Sequence, residues 1–400
     1  MVNVPRQMSL RNSRSLAVAF VTFATFTDIT AYSVAVPVLP DLSARFGASP
    51  TVIGLLFASF GVTLVTVSMP MGAISDRIGR KPPIIGGLLA LAAASVLFAY
   101  ADSLPWLFAA RLVQGASDAV TWVVGFALIA DLYRPEERGR VMGLVMSGTN
   151  LAFMGGPTIG GWLYETGGIR LPFLFVAALA LVGAAAFVWL DVPDTQSVRE
   201  TVPVKTVMRV PAVAACFAAV IISSATVSML EPVLPLYLTA TLGIGPARVG
   251  YLFGVGAVAS TVLNPVYGGM VNRVGSRQMM MIGLVLVAGL LPLLSLAKSY
   301  LSAIGYYVVC AAAISLIITP SLAYMAEATS SAGARSFGVG YGLYNMAWGL
   351  GLLGGPALSG FLFERMGFGW LMLIWAPPLL SVAWLLRRVQ SPLPPIEEHA

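Results

Sequence analysis

The sequence predicts an all-α membrane protein of twelve transmembrane helices, arranged as two pseudo-symmetric six-helix bundles. Three observations predict it. Charged residues make up 10% of the 400 residues and hydrophobic ones 58%, whereas a soluble domain carries about 25% charged residues. Apolar runs near the ~20 residues that carry a helix across a ~30 Å hydrocarbon core recur along the whole chain. The second half of the chain also repeats the first, at a spacing near 196–199 residues.

In the first half, spans are expected near 15–38, 50–74, 81–101, 105–131, 139–163 and 170–191. The stretch Val176–Leu190 has no polar face at all, as a lipid-facing helix requires. In the second half, spans are expected near 211–238, 247–271, 277–297, 300–326, 335–360 and 368–388. Residues 192–210 are the longest polar stretch, carrying Asp194, Arg199, Glu200, Lys205 and Arg209, and read as a cytoplasmic linker. The chain therefore divides into a cytoplasmic tail (1–14), a first bundle (15–191), the linker (192–210), a second bundle (211–388) and a second cytoplasmic tail (389–400). Arg6, Arg11 and Arg14 before an apolar run also suit a signal peptide. No small-residue cleavage site follows them, however, and the run continues through Asp28 to Pro40.

Charge sets the orientation. One side of the membrane receives 17 of the Lys and Arg residues, including Arg77, Arg80, Lys81, Arg134, Arg138, Arg273, Arg277 and Arg387. The other receives 5, namely Arg45, Arg170, Arg248, Lys298 and Arg365, while Arg111 lies inside a span. The positive-inside bias puts both termini in the cytoplasm, and a multi-pass protein of the plasma membrane is expected. The net charge of +6 is split among short loops, so it reports topology and does not point to nucleic acid. Two cysteines and one histidine, His399, do not make a metal site of the usual kind. No GxxxxGK[ST] loop is present to cradle a nucleotide, so no enzyme activity and no cofactor are expected. Each chain holds both halves, so a monomer in contact with lipid is expected.

The repeat is visible residue by residue. Pro37-Val38-Leu39-Pro40 returns as Pro232-Val233-Leu234-Pro235, and Ile53-Gly54-Leu55-Leu56-Phe57 as Val249-Gly250-Tyr251-Leu252-Phe253. Gly72-Ala-Ile-Ser-Asp76-Arg77-Ile-Gly79-Arg80-Lys81 returns as Gly268-Gly-Met-Val-Asn272-Arg273-Val-Gly275-Ser276-Arg277. Gly155-Gly156-Pro157-Thr-Ile-Gly160-Gly161 returns as Gly354-Gly355-Pro356-Ala-Leu-Ser-Gly360. Repeated halves are a transporter architecture, with the substrate site expected near the midplane.

These motifs resemble a known family. Gly72–Pro82 is similar to the loop signature between helices two and three of the major facilitator superfamily. Arg111-Leu-Val-Gln114-Gly115 and the Gly155–Gly161 segment resemble the helix-four and helix-five motifs of its proton-coupled antiporters. Asp28–Pro37, Leu230–Pro235 and Arg138–Gly143 resemble the drug:proton antiporter branch that contains the vesicular monoamine transporters. The resemblance implies export or vesicular loading of organic cations against protons, which act as the coupling ion, and a role for the Glu231 position in binding the substrate amine.

Read from the residues alone, Asp28 lies mid-way along the first span. An ionised carboxylate there costs roughly 2.5–3.5 kcal/mol on insertion scales, so it is expected to face a cavity or to carry a proton reversibly. A structural hydrogen bond to a neighbouring helix is the plainer role. Glu231, beside Pro232, is its counterpart in the second half, or a rim residue. Asp118 and Arg111 share one face of the fourth span, about 10 Å apart. Asp118 is a further cavity acid or the neutraliser of Arg111, and Arg111 is expected to tune a nearby acid. Tyr32, Trp122, Tyr341, Tyr344 and Trp348, with Asn345, are candidates for recognising an organic cation through aromatic faces; Tyr251 and Tyr324 are weaker ones. The span containing Ser315–Pro320 lacks the acid that the vesicular transporters carry there, and Asn345 stands where another is expected.

Gly72, Asp76, Arg77, Gly79, Arg80 and Lys81 are expected to form a tight cytoplasmic turn that latches the inner side, with Asp131 and Arg138 as partners. Gly155, Gly156, Pro157, Gly160 and Gly161 are expected to let helices approach and bend at a gate. The leading function is a proton-coupled exporter of cationic or hydrophobic small molecules, including multidrug efflux. Proton-coupled uptake of a metabolite and a non-transporting membrane sensor are the alternatives.

Overall fold

The computed structural model describes residues 5–190, 207–331 and 337–389; the linker, for the most part, and the C-terminal tail lie outside the described residues. The described residues form helices α1 (Pro5–Ser33), α2 (Leu39–Phe46), α3 (Pro50–Ile78), α4 (Lys81–Tyr100), α5 (Leu104–Leu132), α6 (Pro135–Gly167) and α7 (Arg170–Trp189) in the first half. The second half contributes α8 (Pro211–Leu242), α9 (Pro246–Val274), α10 (Ser276–Leu290), α11 (Tyr300–Ser331) and α12 (Phe337–Arg388). Gly367, at φ 79° and ψ 168°, breaks α12 into the two expected spans, which completes the twelve-helix arrangement. Trp189 and Leu301 are 87% and 78% exposed. Leu181, Val182, Val262 and Trp370 are each more than half exposed as well, and an apolar surface this extensive suits hydrocarbon.

The proline tetrads have different outcomes in the two halves. The first span is expected to run unbroken to residue 38. Instead α1 stops at Ser33, and a 3₁₀ turn over Val36–Val38 leads into α2. Pro37 has no N–H to donate back to the α1 carbonyls, and Pro40 repeats the defect. The same tetrad in α8, with Pro232 and Pro235, stays inside one continuous helix. At the other end, α1 already begins at Pro5, within the stretch read as a tail. Pro292 shortens α10 in turn, converting its end into a 3₁₀ turn over Leu291–Leu296.

Two compact units emerge. One contains Met1–Phe46, Ser59–Val198 and Gly245–Gly254. Within it, α4 packs on α7 and α5, and α1 packs on α6. A Cβ on Gly160 of α6 would stand 2.6 Å from the Val34 carbonyl oxygen, and one on Gly161 2.5 Å from that of Pro246. These glycines therefore admit backbone where no other residue fits. The Glu165 carboxylate accepts the Ala247 N–H at 3.3 Å, capping the start of α9.

The other unit contains Gly47–Ala58, Arg199–Ile244 and Val255–Ala400, with α8 packed on α12 and α10 on α11. The sequence repeat returns here as repeated contacts. A Cβ on Gly360 would stand 2.4 Å from the Pro50 carbonyl oxygen. Glu364 accepts the Thr51 N–H at 3.0 Å, capping the start of α3. Gly54 approaches the Pro356 carbonyl as Gly250 approaches that of Pro157.

Candidate functional site: a buried carboxyl pair on α1 and α5

Helix α1 is rich in hydroxyls for a membrane span, and it satisfies them on its own backbone. Thr25, Thr27, Thr30 and Ser33 donate to the carbonyls of Val21, Phe23, Phe26 and Ile29, at 3.1, 2.8, 2.7 and 2.7 Å. Asp28 has no such recourse, because a carboxylate only accepts. It is 1% exposed. Thr121 of α5 donates its hydroxyl to one Asp28 oxygen, and the other oxygen, Oδ1, has no hydrogen-bond partner.

Asp118 lies one turn before Thr121 and Trp122 on α5, is 4% exposed, and likewise has an Oδ1 with no partner. Its carboxyl lies within electrostatic reach of that of Asp28. The Trp122 indole N–H is beside Asp118, short of hydrogen-bond geometry, and its ring sits 5.5 Å from that of Phe126. Two acids on neighbouring helices, each with an unused oxygen, therefore lie within electrostatic reach of one another in a low-dielectric setting. Holding both as anions is costly, and a proton or a cation relieves the cost.

Arg111 occupies a different place. It is fully buried, with its guanidinium 5.5 Å from the Tyr32 ring centroid and 5.3 Å from that of Phe98. It also donates to the Gln114 amide oxygen of its own helix at 3.4 Å. Tyr32 is 1% exposed, and its ring packs at 4.9 Å on Phe60 as well. The structure thus groups Tyr32 with Arg111 and Phe60, and groups Asp118 with Asp28 across to α1.

In the second unit, Glu231 is 5% exposed on α8, within electrostatic reach of Tyr307 on α11. Sequence reasoning did not single out Tyr307; one tyrosine in an apolar run carries no signal of its own. Tyr344 is buried, its hydroxyl accepts from Ser321 at 3.2 Å, and its ring stacks 6.4 Å from that of Trp348. Asn345 and Trp348 are half-buried on the same helix, and the Tyr341 side chain lies outside the described residues. Tyr324 is buried with its hydroxyl unpartnered, and Tyr251 is 47% exposed.

The loop signature builds a local clamp. Gly79, at φ 85°, makes the turn. Arg80 then pairs with Asp76 at 2.6 Å and with Asp131 at 2.8 Å, and donates to Ser75 at 2.6 Å. Lys81 donates to the Val188 and Leu190 carbonyls, both at 2.8 Å, at the end of α7. Arg77 is exposed and Gly72 half-buried. Arg138 donates to the Tyr133 carbonyl at 3.0 Å. The second half keeps the plan: Ser276 donates to Glu327 at 3.0 Å, and Arg277 donates to the Val389 carbonyl. Along α6, Gly156 and Gly160 meet the end of α1, and Gly161 and the Pro157 carbonyl meet the start of α9. Gly155 makes ordinary contact only.

Fold and site together define a multi-pass helical membrane protein with repeated halves and acids buried in its spans. The chain belongs to the Major Facilitator Superfamily, whose sequence profile matches residues 21–225 and 216–399. It is 27% identical to the human chromaffin granule amine transporter, over 86% of this chain and 66% of that protein. It is 26% identical to the human synaptic vesicular amine transporter, over 80% of this chain and 63% of that protein. The chain thus spans somewhat less than two thirds of the length of these two relatives. A probable vesicular acetylcholine transporter of Danio rerio is 26% identical over 96% of this chain and 82% of its own. A bacterial homologue of the human lysosomal transporter Spinster shares the fold with a TM-score of 0.79 at 15% identity, over 94% of this chain and 96% of that one. The human organic anion transporter MFSD10 shares it with a TM-score of 0.68 at 17% identity, over 93% and 99% of the two chains.

Proposed function

We propose that this protein is a proton-coupled secondary transporter, an antiporter that exports cationic or hydrophobic small molecules, amines foremost, by alternating access. The observation that carries the reading is the Asp28–Asp118 pair, two buried carboxyls on neighbouring helices that each keep an oxygen unpartnered. Such a pair holds a cation when ionised and releases it when protonated, so substrate and proton compete for the same oxygens. Neutral when protonated, the site crosses its conformational cycle without carrying an uncompensated charge through the membrane. The amine transporters among its relatives support an organic cation as cargo. Glu231 supplies a further buried carboxyl in the second half. Trp122 offers an aromatic surface beside the acids. The charge bias of the loops favours both termini in the cytoplasm, and the proposed site of action is the plasma membrane.

The test is a proton-flux assay on purified protein in liposomes with an internal pH dye. Organic cations, amines and neutral drugs are added to wild type and to Asp28→Asn. Cation-evoked proton movement in wild type, lost in the variant, is the expected result. Full proton-coupled transport by folded Asp28→Asn sinks the assignment, and silence of the wild type across the panel turns the reading towards uptake of a metabolite.

A further inference from the structure

We propose that the last turns of α12 bind one anionic phospholipid, with an acyl chain in a groove along the helix and the phosphate on Arg387 and Arg388. The site is separate from the buried acids and does not depend on their role.

The spacing of residues draws the site. Pro377, Leu380, Ser381, Trp384, Leu385 and Arg388 follow one another at intervals of one, three and four, so they share one face of the helix. That face is about 16 Å long at 1.5 Å per residue, close to the depth of one leaflet of a ~30 Å hydrocarbon core. Along it, Pro377, Leu380, Ser381, Val382, Trp384 and Leu385 line an open groove of about 650 Å³, a size within the roughly 300–1,000 Å³ of ligand pockets. Ser381 donates its hydroxyl to the Pro377 carbonyl at 2.8 Å. The hydroxyl is thereby spent on the helix backbone, and the wall it leaves suits a hydrocarbon chain.

Charge selects the headgroup. Arg387 and Arg388 form the last turn of α12, and the Arg388 guanidinium lies 4.0 Å from the centroid of the Trp384 ring. The stacking holds a positive charge at the mouth of the groove. No Asp or Glu follows Glu364 in α12, and among the described residues neither Arg387 nor Arg388 is in an ion pair. Arg277 of α10 donates to the Val389 carbonyl, which brings another guanidinium to the same helix end, and its Nε has no hydrogen-bond partner. The acid on this side is Glu327, which accepts from Ser276 next to Arg277, and it leaves the cluster with an excess of positive charge. A lipid phosphate offers guanidinium groups paired acceptors and arrives with the chain that the groove fits. A zwitterionic headgroup brings its own cation to the arginines and gains less.

Native mass spectrometry of the full chain in detergent tests the proposal, with phosphatidylglycerol and phosphatidylcholine of identical acyl chains as probes. Wild type is compared with Arg387→Gln in combination with Arg388→Gln, and with Ser381→Trp, which fills the groove from an exposed position. Folding is checked by circular dichroism. Wild type is expected to retain one phosphatidylglycerol about tenfold better than phosphatidylcholine, given two arginines at the headgroup. The double arginine variant should hold the two lipids equally, and Ser381→Trp should hold phosphatidylglycerol several-fold more weakly than wild type. Equal retention of the two lipids by wild type overturns the site, as does a preference that survives in the arginine variant. Undiminished retention by Ser381→Trp overturns the groove as the seat of the chain. A lipid-free dimer of wild type would assign this face to a second copy and overturn the proposal as well.

Discussion

Replacing Gly160 by alanine tests the packing that places α1 beside α6. The added Cβ would stand 2.6 Å from the carbonyl oxygen and 2.8 Å from the Cα of Val34. Both are backbone atoms that no rotamer change can clear, so the helices themselves must part. Overpacking of this kind costs about 1–3 kcal/mol, and a backbone clash lies at the upper end. Alanine gains about 1 kcal/mol over glycine inside a helix, which leaves a net loss near 2 kcal/mol. Gly155, one and a half turns earlier on α6, is the internal control. Its Cβ would meet only the Ile159 side chain, at an ordinary 3.5 Å, so the propensity gain remains as about 1 kcal/mol of stabilisation. Thermal unfolding of the two variants in the same detergent, followed by the monodisperse peak on size exclusion, should therefore bracket wild type. Gly155→Ala should melt at or above it and Gly160→Ala clearly below. Equal melting of the two variants would refute the close approach of α6 to the end of α1.

Glu165→Ala should speed amide exchange at Ala247 and in the first turn of α9, and Glu364→Ala should do the same at Thr51 and the start of α3. Hydrogen exchange read by mass spectrometry checks both, and unchanged protection at these amides would remove the carboxylate caps from the account. Arg80→Ala leaves Asp131, 2% exposed at its side chain, without that ion-pair partner. A stability loss of about 3–5 kcal/mol is expected, and Asp131→Asn in the same chain should recover part of it; a double variant as unstable as the single one would contradict the pairing.

Much of the architecture was legible because a membrane imposes a simple code. Every span must be long and apolar, and a chain that repeats its halves repeats its motifs. The turn at Gly79 and the role of Asp131 beside it were readable for the same reason, since charges in a short loop have few partners. Other features depend on which helices meet. Helical spacing put Arg111 and Asp118 on one face, but only the packing of α1 against α5 brings Asp118 within electrostatic reach of Asp28 and lays Arg111 over Tyr32 and Phe98. Glu165 and Glu364 carry no signal of their own in the sequence, and their capping role shows only where each meets the start of a distant helix. The proline tetrads carry the same four residues, yet one ends a helix and the other does not. Local chemistry permits a break there, and the surroundings decide whether it occurs.

Cation and proton are expected to compete for the carboxyls of α1 and α5. Proton release on binding tests it most directly. Folded protein in weakly buffered detergent solution is mixed with a saturating amine, and the pH change is read with an indicator dye. Protons should be released in proportion to amine bound, the affinity should fall as the medium is acidified, and the release should be lost in Asp28→Asn with Asp118→Asn. Amine binding without proton release, or release undiminished in the double variant, would contradict it.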